Sequence, residues 1–382
     1  MKKFISIVVV LFLMISSYAQ ELRNFMSNQQ IISPEITGKE VVFRILAPYA
    51  YEVKLKGSWM QEPEVNTKLI KDKNGIWSVT IPCPAPELYT YNFIVDGLSI
   101  NDANNIFMQR DGSSYLSVLL IRGKLTENYY EANQRGNLNQ VWYDSPTLDT
   151  ERRLFVYTPY GYDNSNNKYP VLYLLHGMGG DEDAWSTMGR ACQILDNLIE
   201  KKLAKPMICV MPNGNYAQLA ARTLMIAEKQ VDHNISGIVE DEYLKSIIQD
   251  IVPFIEKTYR ADAKPQSRAI AGLSMGGRHT IRTTLMYPGF FHYICPLSTG
   301  INYRERVSKT EYDKQFKALK AAGYKLYFLA CGDSDFLIES ANTLDKSLTD
   351  NGLKHTYLLS SGGHTWSNWR IYLNTFAPLL FK

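Results

Sequence analysis

The 382-residue sequence predicts two parts: a small all-β, immunoglobulin-like sandwich, then a larger α/β unit built on a mainly parallel sheet. Three observations carry this. Residues 33–122 alternate apolar and polar side chains in short runs bounded by turn residues, the period of half-buried strands. Residues 151–382 instead alternate near-continuous apolar runs with amphipathic stretches, as strands buried on both faces between helices do. The joining segment 123–150, "GKLTENYYEANQRGNLNQVWYDSPTLDT", is polar and predicts irregular chain that leads into the α/β unit.

Taken in order, residues 1–19 predict a secretory signal peptide. Lys2 and Lys3 precede the apolar run "FISIVVVLFLMI", and small residues stand before Gln20. No cysteine follows the run, so no lipid or membrane anchor is expected after its removal, and the protein is expected to be exported. That means periplasmic in a Gram-negative source and extracellular otherwise. Residues 20–32 form a short lead. Strands are then predicted at 41–47, 52–59, 76–82, 88–97 and 114–121, with "DKNG" at 72–75 as a hairpin turn. In the α/β part, strands are predicted at 152–159, 169–177, 206–214, 267–274, 293–300, 325–333 and 355–361. Helices are predicted at 186–202, 241–259, 276–286, 309–321, 337–350 and from 365.

A net charge of +3 with 21% charged residues leaves no electrostatic footprint for nucleic acid or an anionic membrane. Aromatic residues at 12%, among them 25 Tyr, supply flat amphipathic faces suited to sugars or phenolic rings. Five cysteines leave at least one unpaired, and Cys209, Cys295 and Cys331 sit in strand-like apolar runs as small buried hydrophobes. No His/Cys cluster has metal-ligand spacing, so no metal or other cofactor is expected.

The chemistry centres on "AIAGLSMGGRHT", residues 269–280. Ser274 ends a predicted strand and opens a predicted helix, and Gly272 and Gly276 remove side chains where the two must cross closely. That is the setting of a nucleophile elbow. A serine hydroxyl needs a base, and the base an orienting carboxylate, here expected in the order Ser, acid, His on loops after successive strands. "KLYFLACGDSDF" runs into Asp333 and Asp335, and "HTYLLSSGGHTW" runs into His364. His355 begins a strand, His279 lies within a helix, His292 comes before a strand, and His176 and His233 precede the serine, so His364 is the strongest base candidate. Asp333 and Asp335 both remain acid candidates, one free to cap the following helix. Oxyanion donors are expected from the Met275 amide and from the glycine-rich turn "LLHGMGG" through the Met178 amide.

The segments "YPVLYLLHGMGGDEDAW", "IAGLSMGG", "CGDSDFL" and "GGHTWSNWR" together resemble carbohydrate esterase family 1, which includes feruloyl and acetylxylan esterases. The resemblance spans about 130–382. It implies an α/β-hydrolase fold, Ser274 as nucleophile, His364 as base and Asp335, the carboxylate of the G-x-x-D turn, as acid. "GSW", "GIWSVTI" and "YNFIVDG" are similar to a family-48 carbohydrate-binding module, which would place candidate glycan contacts at Trp59 and Tyr91, with Trp77 in the core.

The expected activity is hydrolysis of ester-linked acyl groups, ferulate before acetate, on plant cell-wall polysaccharide such as arabinoxylan or its oligosaccharides. Trp185, Tyr216, Trp366 and Trp369 are the candidate walls of an acyl slot. An acyltransferase of the same fold and an inactive glycan-binding protein are the alternatives.

Overall fold

The computed structural model describes residues 31–60, 67–224, 237–303 and 307–382. The predicted signal peptide, most of the lead and His233 lie outside these residues. The chain divides into two compact units. One runs to Pro84 and includes Tyr89–Phe107 and Ser117–Leu119; the other takes Ala85–Leu88, Met108–Leu116 and Leu120–Lys382.

Alternation in the N-terminal part produces short strands: β1 (Glu35–Thr37), β2 (Glu40–Leu46), β3 (Val53–Gly57), β4 (Thr67–Lys68) and β5 (Ile70–Lys71). They continue with β6 (Ile76–Pro82), β7 (Leu88–Val95), β8 (Leu98–Ile100), β9 (Met108–Asp111) and β10 (Ser114–Leu120). They form one sheet of order β1-β2-β6-β5 and a second of order β4-β3-β7-β10-β9, with β8 on β7. Val41, Phe43, Ile45, Val53, Leu55 and Phe93 point inward at every second position and are buried, which is the period-2 rule at work. Tyr91 belongs to this core. It is 2% exposed, packs edge-on to Phe43 at 4.9 Å, and its hydroxyl donates to Asp102 at 2.8 Å. The expected glycan contact at Tyr91 is therefore corrected to a core residue, because a ring enclosed on both faces has none left for a sugar. Trp59 is half-buried and stacked on Phe43 at 5.9 Å, while Trp77 is buried and donates its indole N–H to Ala47 O at 2.8 Å.

The second unit is an eight-stranded sheet of β11 (Asn137–Ser145), β12 (Thr150–Thr158), β13 (Val171–Leu175), β14 (Ile208–Pro212), β15 (Arg268–Leu273), β16 (Tyr293–Leu297), β17 (Leu326–Gly332) and β18 (Thr356–Ser360). Its spatial order is β11-β12-β14-β13-β15-β16-β17-β18. β11 and β12 pair antiparallel, β12 meets β14 antiparallel, and every later pair is parallel. All residues of β13, β14, β15 and β16 are buried, as strands covered on both faces must be. On one face Tyr173, Val210 and Ile270 pack with Leu244, Ile251 and Ile255 of the helical run 237–258. Another cluster joins Ile281, Ile294, Leu329 and Leu344. The run 237–258 widens into a π-turn over Ile247–Ile251 just ahead of Pro253, whose missing N–H leaves the ladder short of a donor.

β11 is a correction to the irregular segment expected over 123–150. Its nine residues pair along their whole length with β12. Its sequence, NLNQVWYDS, lacks an apolar run because it forms the sheet edge and is mostly exposed. The helix expected over 186–202 is also broken, into Ala184–Thr187 and Ala191–Glu200, with Arg190 between them at φ 51°.

The chain order reverses between β13 and β15: β13 leads to β14 on one side, and β15 leads to β16 on the other. Loops leaving the carboxyl ends of these neighbours diverge and leave a crevice, where α/β sheets bind ligands. The turn after β15 crosses the end of β13 at the closest possible range. A Cβ on Gly272 would overlap the Gly276 carbonyl, and one on Gly276 would stand 2.5 Å from His176 O and 2.6 Å from Leu175 O. Gly272→Ala is expected to destabilise the fold by about 3 kcal/mol or more. Urea unfolding measures this, and a loss below about 1 kcal/mol would show that strand and helix can separate to admit a methyl group.

Candidate active site

Ser274 is the N-cap of the helix Met275–Met286 and has φ 53° and ψ −115°, a combination that L residues rarely adopt. The strain is held by packing and hydrogen bonds around it. The Ser274 amide donates to Leu297 O at 2.9 Å, while its carbonyl accepts from the Arg278 amide at 2.9 Å. Turned out of both strand and helix, the side chain lines a cavity of about 650 Å³.

Asp335 and His364 come from the loops after β17 and β18. The His364 Nδ1–H donates to both Asp335 oxygens, at 3.0 and 2.9 Å. With its proton committed there, the ring presents Nε2 as the basic nitrogen. Asp335 is 1% exposed. Burial alone would raise its pKa, but hydrogen bonds from His364, the Leu337 amide and the Ser298 hydroxyl outweigh it and hold the carboxyl below its ordinary value. Ser298 is itself fixed, with φ 45°, its amide on Ala330 O at 2.7 Å and its oxygen accepting the Trp369 indole N–H at 2.9 Å. The His364 ring is flanked by Phe336 at 4.5 Å and by the edge of Trp369 at 5.0 Å. Phe336 also lines the cavity that holds Ser274.

Asp333, the other acid candidate, is exposed and turned elsewhere. It accepts from the Gly362 amide at 3.1 Å and from Ser334 Oγ at 2.9 Å. It pins the His364 loop to the Asp335 loop and makes no hydrogen bond to the imidazole.

The turn after β13 brings Gly177 against the serine: a Cβ there would meet Ser274 Cβ at 3.3 Å. Met178 and Met275 line the same cavity. Met275 is the first residue of its helix, so its N–H is one of the four without a partner in the helix ladder. His176, set aside as a base, has a structural task. Its Nε2 accepts the Gly214 amide at 2.7 Å, so Nδ1 carries the proton and donates to Gly177 O at 2.7 Å. Burial pushes its pKa down to about 4, and the ring stays neutral.

The expected aromatic slot is corrected. Trp185 is 1% exposed and donates to Leu175 O at 2.9 Å, and Trp369 is 6% exposed behind His364. Trp366 is half-buried and meets both edge-on, at 5.3 and 5.1 Å, and Tyr216 packs against the sheet core. None of the four lines the cavity beside Ser274. These indoles pack around the His364 loop and the end of β13, because a large ring next to a packed sheet gains most by burial. The cavity is lined instead by Phe336, Leu337, Ile301, Val307 and Tyr312, with Glu240, Arg278 and Arg282. Glu240 bridges the two arginines at 2.9 and 2.7 Å. Although burial disfavours its charge, His279 and the arginines hold its pKa down to about 2. The sequence carried a signal for these residues, since Arg278 and Arg282 follow Ser274 at helical i+4 and i+8 spacing.

Comparison with known proteins now bears on the site. Residues 145–326 match the esterase family, and residues 31–107 match carbohydrate-binding module 48, the isoamylase N-terminal domain. The chain is 33% identical over 327 residues to an endo-1,4-beta-xylanase/feruloyl esterase of Xylanibacter ruminicola, an alignment that covers 83% of this chain and 41% of that protein. This chain thus spans about two fifths of that relative's length. It is 25% identical over 242 residues to an acetyl esterase of Caldicellulosiruptor saccharolyticus, with 55% of this chain and 82% of that protein covered. Among solved structures, a ferulic acid esterase superposes with a TM-score of 0.54 at 25% identity, over 65% of this chain and 98% of its own.

The neutral His176 gives a pH prediction. Its folded pKa of about 4 lies below the unfolded value of about 6.5. Between these values the unfolded chain takes up a proton that the folded chain refuses, so stability falls as pH drops through this window. His176→Gln keeps an acceptor for the Gly214 amide and cannot titrate. Its unfolding free energy should fall less steeply from pH 6.5 to 4, by up to about 1.4 kcal/mol per pH unit. Identical profiles for both proteins would mean that His176 is not held neutral.

Proposed function

We propose that this chain, which matches the esterase family over residues 145–326 and carbohydrate-binding module 48 over residues 31–107, is an exported serine esterase of plant cell-wall polysaccharide. Its substrate in this reading is a hydroxycinnamate ester such as feruloyl arabinoxylan. The observation that carries the hydrolytic reading is a strained serine in a cavity that Phe336 also lines, the same ring that flanks a carboxylate-anchored imidazole. Ser274 stands at φ 53°, and His364 Nδ1 lies 2.9 Å from the buried Asp335 carboxylate.

The chemistry follows from these positions. His364 Nε2 takes the Ser274 proton as Oγ attacks the ester carbonyl, and Asp335 stabilises the resulting imidazolium. The Met275 and Met178 amides receive the oxyanion. Collapse of the tetrahedral adduct expels the sugar alkoxide, which leaves with the proton from His364. Water, deprotonated by His364, then attacks the acyl-serine, and a second collapse returns Ser274 and frees the acid.

Two features support an aromatic acyl group. Phe336, Leu337, Ile301, Val307 and Tyr312 give the cavity apolar walls beside the serine, and its volume of about 650 Å³ exceeds what an acetyl group fills. Two of the similar proteins are named for feruloyl or ferulic acid esterase activity. The acetyl esterase relative supports the second reading, removal of acetyl groups from xylan.

Ser274→Ala should lower kcat on methyl ferulate by about 10³-fold or more. Comparison of kcat/KM on methyl ferulate and on acetylated xylan decides the acyl group. At least a tenfold preference for the ferulate is expected, and the reverse preference would replace it with acetate.

Asp335→Asn should cost about 10³- to 10⁴-fold in kcat, since an amide fixes the wrong imidazole tautomer. Asp333→Asn should stay within about tenfold, because Asp333 holds loop backbone and not the ring. The opposite ranking would move the acid to Asp333.

A further inference from the structure

The loop that carries the Met178 amide is followed at once by three carboxylates, Asp181, Glu182 and Asp183, and these are buried or nearly so. Buried charge must be paired. Glu182 is served locally by Arg153 Nε at 2.7 Å, Asn213 Nδ2 at 3.0 Å and the Ala221 amide at 2.7 Å. Asp181 and Asp183 share one cation, and it comes from far along the chain. Arg110, on β9, places Nη2 2.6 and 2.7 Å from the two Asp181 oxygens and 2.7 Å from Asp183 Oδ1.

Arg110 is itself anchored. Its Nη1 donates to Gly112 O at 2.6 Å, and its neighbour Gln109 donates to Thr187 O at 2.8 Å. At the hairpin tip, a Cβ on Gly112 would meet Gly179 O at 3.5 Å, in ordinary contact with the residue after Met178. The stretch from 176 to 183 is therefore held at both ends. His176 is tied to Gly214 and Gly180 O accepts Asn215 Nδ2 at 2.7 Å, while Asp181 and Asp183 are tied to Arg110. Met178 and Gly179 span the gap between these fixed points.

We propose that Arg110 is a positioning residue for ester hydrolysis, setting the oxyanion loop through Asp181 and Asp183 so that the Met178 amide faces the developing charge. This rests on the serine esterase reading. Without the guanidinium, two carboxylates facing each other in a buried site must separate or take up a proton, and either shift moves the turn that ends one residue earlier, at Gly180. Burial and the adjacent Asp181 raise the Asp183 pKa above the ordinary carboxylate value, in keeping with a pair that a single cation only just balances. The position of the loop matters to a charge that exists only at the tetrahedral stage, so the expected loss falls on kcat and not on KM.

Arg110→Gln and Asp183→Asn, in the full chain, are assayed on an aryl acetate and titrated with an aryl boronic acid. The boronate forms a tetrahedral adduct on Ser274 and places an oxygen where the oxyanion would sit. Arg110→Gln should lower kcat tenfold or more, leave KM within about twofold and weaken boronate binding by a similar factor to kcat. Asp183→Asn should shift kcat and boronate affinity in the same direction by a smaller factor. A folded Arg110→Gln protein with unchanged kcat, or a loss confined to KM with boronate affinity intact, overturns the proposal. If Arg110→Gln does not fold, unchanged kcat and boronate affinity in Asp183→Asn overturn it equally. A wild-type protein that turns over no aryl ester overturns the esterase reading itself, and the role of Arg110 with it.

Discussion

The close crossing of strand β15 and the helix Met275–Met286 over the end of β13 is the constraint on which the site depends. Gly272 and Gly276 allow backbone to lie against backbone, and the price is a serine in a conformation that costs on the order of 1–3 kcal/mol by itself. The all-apolar strands on either side supply the compensation. β13, β15 and β16 are buried along their whole lengths, and the Ser274 amide finds Leu297 O at 2.9 Å. A loosely packed sheet would let the turn relax towards ordinary helix, and the hydroxyl would swing back against its own first turn.

The same logic repeats one strand along. Ser298, just past β16, stands at φ 45° and links two groups that would otherwise be independent, the Trp369 indole and the Asp335 carboxylate. Asp335 is thus fixed from three directions: by the His364 imidazole, by the Leu337 amide of its own turn, and by a hydroxyl held between strand and helix. An aspartate with fewer donors in so buried a place would drift towards protonation, and a neutral acid could not hold the imidazolium that forms during proton transfer.

How much of this was legible in the sequence follows from the range of each interaction. The strand–helix alternation, the glycine pair around Ser274 and the chain order of serine, acid and histidine are local patterns, and the sheet edge then gathers their residues without further information. Spacing alone left Asp333 and Asp335 equal. What separates them is which carboxylate faces inward after the turn, a tertiary fact: Asp335 is buried on His364, while Asp333 is spent on the Gly362 amide. β11 escaped notice because an edge strand with exposed faces carries no apolar periodicity. Arg110 had no local signal at all, since its partners lie 71 and 73 residues away.

The tryptophans show why aromatic content is a poor guide to a binding wall. Trp366 packs edge-on to both Trp185 and Trp369, Trp369 lies edge-on to His364, and Trp185 and Trp369 spend their indole N–H groups on Leu175 O and Ser298 Oγ. A ring so bonded is rigid, and in the proposed mechanism that rigidity would serve an imidazole that must return to one position in each cycle. A substrate wall has a different requirement, an exposed face that can exchange water for ligand. Phe336 meets it: it is 73% exposed, lies tilted against His364 and borders the serine cavity. Its loop position lets it touch the His364 ring and border the serine cavity at once, whereas Trp185 and Trp369 are buried behind the loops.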